Sequence, residues 1–501
     1  MHYSESMLYP AVLVLMLVCQ SPGPGDQAAG GTATVGPASG PSGPPEGQAL
    51  RTEESPDGSV VMTEPNQYLN ITSVAPVEPG ARFFYGDWPW GSDGLTGDWG
   101  GARSRLVDEG IFVIGEYTSM LQQNLSGGAE EAFYGAGVLE LELTFDAETI
   151  AGLEGGLLFT NFTYSGWYNE EFAGFGSFSP VGSSFGVNNN FPQEDARDQG
   201  QLDQLYWRQA LCDGRFRVSV GKIDANVTFM NLGAAGGFMY GTAAIPATAT
   251  QFLPTFPNAA TGLQMQLDLT DQLTGSFGWW DGSTSAFDPA TGQTGPRTGD
   301  RGTQSLFDNQ GNWFLVNEWS LDWMDRSATP GRASVGAWLQ TGTTATQGDS
   351  TTGVSDVPGI YLQGQQVLWS PDRSIAGEGG GIVLFGRADW SPDDKNAVTL
   401  GLTAGISATG VVPGRIADAL GIMGSWSKFS DEPSIFQSTL PDGRPGASGG
   451  SESAIEGFYR LQLTPSVMIQ PGIEWIIDPG GGSPSSLGDA VVPYLVINLQ
   501  F

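Results

Sequence analysis

The sequence predicts an all-β fold: a transmembrane antiparallel β-barrel of about 16 strands, with short periplasmic turns and long external loops. Three observations carry this expectation. The composition suits strands and turns, since 74 of 501 residues are Gly, 11% are aromatic and only 15% are charged, against about 25% in an ordinary soluble domain. Apolar and polar residues alternate with period two in one stretch after another, as strand side chains require. The mean hydropathy of -0.13 is too polar for a bundle of membrane helices.

The N-terminus carries the one long apolar run. Leu8 to Val18, LYPAVLVLMLV, has the length of a signal-peptide core and is too short to span a bilayer as a helix. Residues 1–25 therefore read as an export signal, although the first basic residue, Arg51, comes only after it. Cys19 directly follows MLV and raises lipidation as an alternative, against which Val18 stands where a small residue is expected. From residue 26 to 80 the chain is dense in Pro, Gly, Ala and Ser. Such a segment buries too little apolar surface to offset its ordering entropy and reads as a leader without chemistry. Residues 81–501 are then the barrel.

Within that span the alternation defines two faces. AGVLELELTFD sets Leu139, Leu141, Leu143 and Phe145 against Glu140, Glu142 and Thr144; RFRVSVG sets Phe216, Val218 and Val220 against Arg215, Arg217 and Ser219. GIVLFGRADW places Arg387 and Asp389 on one side, and SAIEGFYRLQL places Glu456 and Arg460 opposite Ile455, Tyr459 and Leu461. At roughly 25 residues per strand and connection, the span yields about 16 strands, a porin-sized number. A soluble sandwich also alternates. The mid-strand charges, the Trp residues near the ends of apolar stretches (Trp279, Trp280, Trp313, Trp319, Trp323, Trp390) and the export signal favour a barrel with aromatic girdles and a polar lumen. By strand parity Glu140, Glu142, Arg215, Arg217, Arg387, Asp389, Glu456 and Arg460 are the candidates to line it.

The last stretch, VVPYLVINLQF, puts Pro493, Leu495, Ile497, Leu499 and Phe501 on one apolar side. In hydrocarbon every backbone polar group must be paired internally, so a final strand has to bond to the first. Ile497, Leu499 and Phe501 also resemble the signal read by the bacterial barrel-assembly machinery.

Composition excludes several functions. The formal charge of -34 repels nucleic acid. The one histidine is His2, in the export signal, which removes His-activated nucleophiles and His-ligated metals. Two cysteines provide no disulfide framework. Carboxylates two apart on a strand, such as Glu140 and Glu142, stand about 7 Å apart by generic geometry, but with 54 acidic residues such pairs arise by chance. No catalytic residue, metal or cofactor is implied. GDWGGAR, Gly97 to Arg103, is Gly-rich but lacks the following Lys and helix of a phosphate loop; its glycines suit a tight approach to the first strand, with Trp99 or a neighbour capping the rim.

Four segments carry a more specific resemblance. LTGDWGGARSRLVDEGIFVIGEYTSMLQQNLSGG (Leu95 to Gly128), QLDQLYWRQALCDGRFRVSVGKIDAN (Gln201 to Asn226), FGRADWSPDDKNAVTLGLTAGISATGVVPGRIADALGI and EGFYRLQLTPSVMIQPGIEWIIDPGG resemble, in order, motifs of the carbohydrate-selective porin family typified by OprB. The resemblance implies an outer-membrane channel for passive diffusion of small solutes, carbohydrates above all, with sugars, outer-membrane lipid and the assembly machinery as partners. Monomer and homotrimer both stay open. The stretches 241–257, 291–310 and 341–357 do not align, so the family's pore-lining residues do not transfer. Two other readings remain: an adhesive or structural barrel that anchors surface loops, and a soluble periplasmic glycan-binding β protein.

Overall fold

A computed structural model describes residues 51–54, 60–63, 94–167, 181–185, 199–256, 258–282, 287–288, 293–294, 311–323, 329–347, 353–370, 381–415, 417–437, 448–481 and 487–501. The stretch read as an export signal, residues 1–25, and most of the stretch read as a leader, residues 26–80, lie outside the described residues. Within the span read as leader, Arg51–Glu54 pairs antiparallel with Val60–Thr63.

Sixteen antiparallel strands close into a barrel. In chain order they are β1 (Ile111–Gln123), β2 (Phe133–Asp146), β3 (Gly156–Trp167), β4 (Gln199–Leu211), β5 (Phe216–Ile223), β6 (Ala260–Asp268), β7 (Leu273–Asp281) and β8 (Trp313–Asp322). There follow β9 (Gly331–Ala345), β10 (Gly353–Trp369), β11 (Gly381–Trp390), β12 (Val398–Thr409), β13 (Ala419–Phe429), β14 (Ser451–Thr464), β15 (Val467–Ile477) and β16 (Ala490–Gln500). Each pairs with its sequence neighbours, and β16 closes on β1 from Tyr494 opposite Gln122 to Gln500 opposite Glu116. The final strand is thus held along its length, as membrane burial of its backbone demands. Two short helices sit at the end of the barrel where β1 begins: α1 (Ala102–Asp108) before β1, and α2 (Ala147–Ala151) between β2 and β3, its first turn capped by Asp146 on the Glu148 N–H at 3.1 Å.

The two faces separate as the alternation requires. Leu139, Leu141, Val220, Ile360, Leu362, Ile422 and Ile473 are exposed on the outside, with Trp279, Trp319, Trp390 and Trp475 among them. No described helix is long and apolar enough to cross a membrane. The inner face is not uniformly polar. Met120, Tyr134, Val138, Trp280, Phe314, Trp338, Phe385 and Phe458 are buried there, and the connection between β5 and β6 supplies what they pack against.

Candidate functional site

That connection, residues 224–259, folds into the barrel rather than away from it. Asp224 fastens both of its ends, accepting from the Asn226 N–H at 2.7 Å and the Phe256 N–H at 3.0 Å, while its own N–H donates to Gln204 Oε1 at 3.1 Å. The loop proceeds through four single 3-10 turns, at Ala225–Val227, Gly233–Ala235, Gly241–Ala243 and Ala247–Ala249. Small side chains let it lie against the wall: a Cβ on Gly237 would strike the Phe458 ring. Its larger residues fill the lumen-side core. Phe238 meets Phe458 edge-on at 4.9 Å and Phe385 at 5.6 Å, Phe229 meets Trp280 at 5.6 Å, and Phe252 lies 5.3 Å from Trp338. Full burial of such a side chain stabilises by about 1.5–3 kcal/mol.

A loop without a long helix or strand leaves its backbone groups unpaired, and burial makes each costly. The wall's charged side chains meet that need. Arg387, fully enclosed, donates through Nη2 to Met230 O at 2.5 Å and Ala244 O at 3.3 Å, through Nη1 to Thr242 O at 3.3 Å, and through Nε to Gln363 Oε1 at 3.0 Å. Asp389 accepts from the Thr248 N–H at 2.8 Å. Glu456 accepts from the Met239 and Tyr240 N–H groups at 2.8 and 3.0 Å and from the Tyr494 hydroxyl at 2.6 Å. Glu318, a residue the strand parity did not single out, takes the Met230 N–H at 3.0 Å and the Tyr361 hydroxyl at 2.6 Å. Glu452 ties the loop to two other connections through the hydroxyls of Tyr240 and Ser183 and the Gly480 N–H.

The remaining sequence candidates lie elsewhere. Arg460 is buried on the inner wall, its Nε on Gln470 Oε1 at 2.8 Å and its guanidinium 5.9 Å from the Phe458 ring. Arg215 stands in the turn before β5, and Arg217 near the start of β5 holds both Asp268 oxygens at 2.7 and 3.0 Å. Glu140 and Glu142 are half-buried on the inner face of β2. Glu140 lies opposite Glu116 of β1 and accepts from Asn161 at 3.2 Å. Following β1 from its start, this acidic rung comes before Met120 and the loop core. The inner wall is therefore divided along its length: a zone where loop and wall interlock, and a zone of carboxylate, amide and hydroxyl groups.

The infolded loop itself carries no charged side chain from Ala225 to Ala259. Its less buried residues include Asn226, Val227, Asn231, Ile245, Gln251 and Phe256. Sequence reasoning registered this region only as one that departs from the family pattern. The signal present was the missing charge, in a stretch between two strands and in a chain otherwise so acidic.

Comparison with known proteins agrees with this architecture. OprB of Pseudomonas putida, in its high-pH structure, matches at a TM-score of 0.65 and 18% identity, over 82% of this chain and 99% of that one; the low-pH structure of the same protein gives 0.48 and 14% over the same shares. No curated protein sequence matches. The family profile described as carbohydrate-selective porin, OprB family, matches residues 130–501. The profile takes in the infolded loop and every barrel strand after β1, and the chain belongs to the OprB family, whose members are porins of the bacterial outer membrane that let solutes diffuse passively.

Proposed function

We propose that this porin passes small neutral solutes, carbohydrates in particular, down their gradients and performs no catalysis. The observation that carries the reading is the uncharged loop inside the barrel. A charged constriction attracts or rejects ions, whereas a sugar needs hydroxyl and amide partners together with apolar surface for its C–H faces. Asn226, Asn231 and Gln251 supply the first, Val227, Ile245 and Phe256 the second. In this reading Glu140 and Glu142 line the hydrated path, and Arg387, Asp389 and Glu456 position the loop. Arg460, Arg215 and Arg217 stiffen the wall. Residues 1–25 direct export, 26–80 form the leader, and Ile497, Leu499 and Phe501 present the assembly signal.

Liposome swelling with a panel of neutral mono- and disaccharides tests the proposal against uncharged polyols of matched size. Faster swelling with sugars than with size-matched polyols is expected. Rates set by size alone would make the protein a general porin, and absence of conductance in planar bilayers would favour an anchoring barrel.

A further inference from the structure

The GDWGGAR segment has no part in the channel reading, yet its residues converge on one place. Gly97, Trp99, Gly100 and Gly101 all adopt positive φ, at 62°, 51°, 68° and 86°, a conformation that favours glycine. The coil turns the chain back so that α1 presents Arg103 to the barrel rim. Arg103 Nη2 donates to Phe501 O at 2.7 Å and to Val113 O at 2.9 Å, bridging the end of β16 to the start of β1. Its guanidinium also lies 5.3 Å from the Trp99 ring centroid. The same strand end is gripped twice more: the Leu95 N–H donates to Gln500 O at 2.8 Å, and the Phe501 N–H to Gly115 O at 2.8 Å. The Phe501 ring rests on Gly115, where an added Cβ would stand 3.3 Å from it. Asp98 keeps the coil in shape. It accepts from both the hydroxyl and the N–H of Ser104 at 2.8 Å, and these bonds, the hydroxyl foremost, hold its carboxyl below the ordinary value of 3.8.

We propose that the segment from Gly94 to Arg103 is a docking site for the end of the chain's own last strand, a clasp that grips Phe501 across the β16–β1 seam and keeps the closed barrel from unzipping at that rim. The occupant is fixed by the contacts: a main-chain oxygen for the guanidinium, an apolar ring for the Gly115 surface and an edge carbonyl for the Leu95 N–H. The contacts span the seam itself, so they exist only once β16 has reached β1. The clasp therefore acts on the rate of opening, with little effect on the rate of closure.

The test is the opening rate of the detergent-solubilised full chain, refolded from urea and followed by loss of the compact unboiled form on gels. Four proteins are compared: the natural chain, Arg103→Ala, deletion of Phe501, and both changes together. A charge-assisted bond of this kind sets the scale, so each single change should speed opening about tenfold. The double change should open more slowly than the product of the two single effects, because both remove the shared Arg103–Phe501 contact. Arg103→Lys, which keeps the charge and one donor, should fall between. Opening of Arg103→Ala at the natural rate, or a double change as fast as the product of the singles, overturns the proposal. Hydrogen exchange on the natural chain serves if a variant does not refold: Leu95 and Phe501 amides should be protected like those within β16, and exchange as fast as in free loops would equally overturn it.

Discussion

Arg387 shows how far a single residue could be read in advance. Strand parity puts it on the inner face, opposite outward residues such as Leu384 and Trp390, but parity says nothing of what stands in front of that face. The guanidinium meets main-chain carbonyls of residues brought close by the path of the loop. In Arg387→Met those carbonyls lose a charged donor while the barrel ladder stays whole. Bonds to charged groups contribute about 1.5–3 kcal/mol each, so local opening of the loop should become at least about tenfold more frequent. Amide exchange at Met239 and Tyr240 should rise accordingly, with exchange in β11 and β12 unchanged. Asp98 gives a prediction of opposite sense in pH. Its carboxyl is depressed in the folded state, so the contribution to the clasp is present above the ordinary value of 3.8 and fades as pH falls below it. Opening at the rim should quicken in that acid range in the natural chain and stay flat across it in Asp98→Asn.

At the scale of elements, the strands were legible because lipid and lumen impose a period of two that composition cannot hide. The terminal strand was legible for the same reason, and its closure on β1 follows from the need to pair its backbone. The loop between β5 and β6 was not. Its turns are short, its residues small, and its partners are side chains on distant strands, none of which leaves a periodic mark. Besides the loop's missing charge, its docking was foreshadowed by apolar residues such as Met120, Val138, Phe385 and Phe458 on faces expected to be polar. A loop that adheres through a core of its own should detach without opening the barrel. Phe238→Ala removes a ring seated between Phe385 and Phe458, a truncation that costs about 3–5 kcal/mol in a packed core. The expected result is noisy, enlarged single-channel conductance with unchanged heat resistance of the unboiled form; loss of heat resistance as well would mean that loop and barrel unfold together.

For the whole molecule, the distribution of charge matters more than its total of -34. Most of that sum cannot act on a solute inside the channel, since fields from exposed groups fade over about 10 Å at 0.1 M salt. What counts is the inner wall, where the basic side chains are committed: Arg387 to loop carbonyls, Arg460 to Gln470, Arg217 to Asp268, and Arg332 beside Glu318 and Asp322 at 3.7 Å each. The hydrogen-bond donors described at Glu116 and Glu140 are instead neutral, Asn498 and Thr118 for the first and Asn161 for the second, and the Arg460 charge acts on Glu116 only through space. Hydrogen bonds from amides and hydroxyls orient a carboxylate without cancelling its charge. A wall of this kind should draw cations and repel anions although the infolded loop is neutral, so uncharged sugars should pass more freely than sugar acids or sugar phosphates. In a potassium chloride gradient the reversal potential should have the sign of cation preference and shrink towards 1 M salt, where screening shortens to about 3 Å. Glu116→Gln together with Glu140→Gln keeps acceptors for the amide donors and removes two charges. It should bring the potential towards zero and raise the relative swelling rate with gluconate while leaving glucose unaffected. A potential that the double substitution does not change would place the selectivity on other residues of the wall.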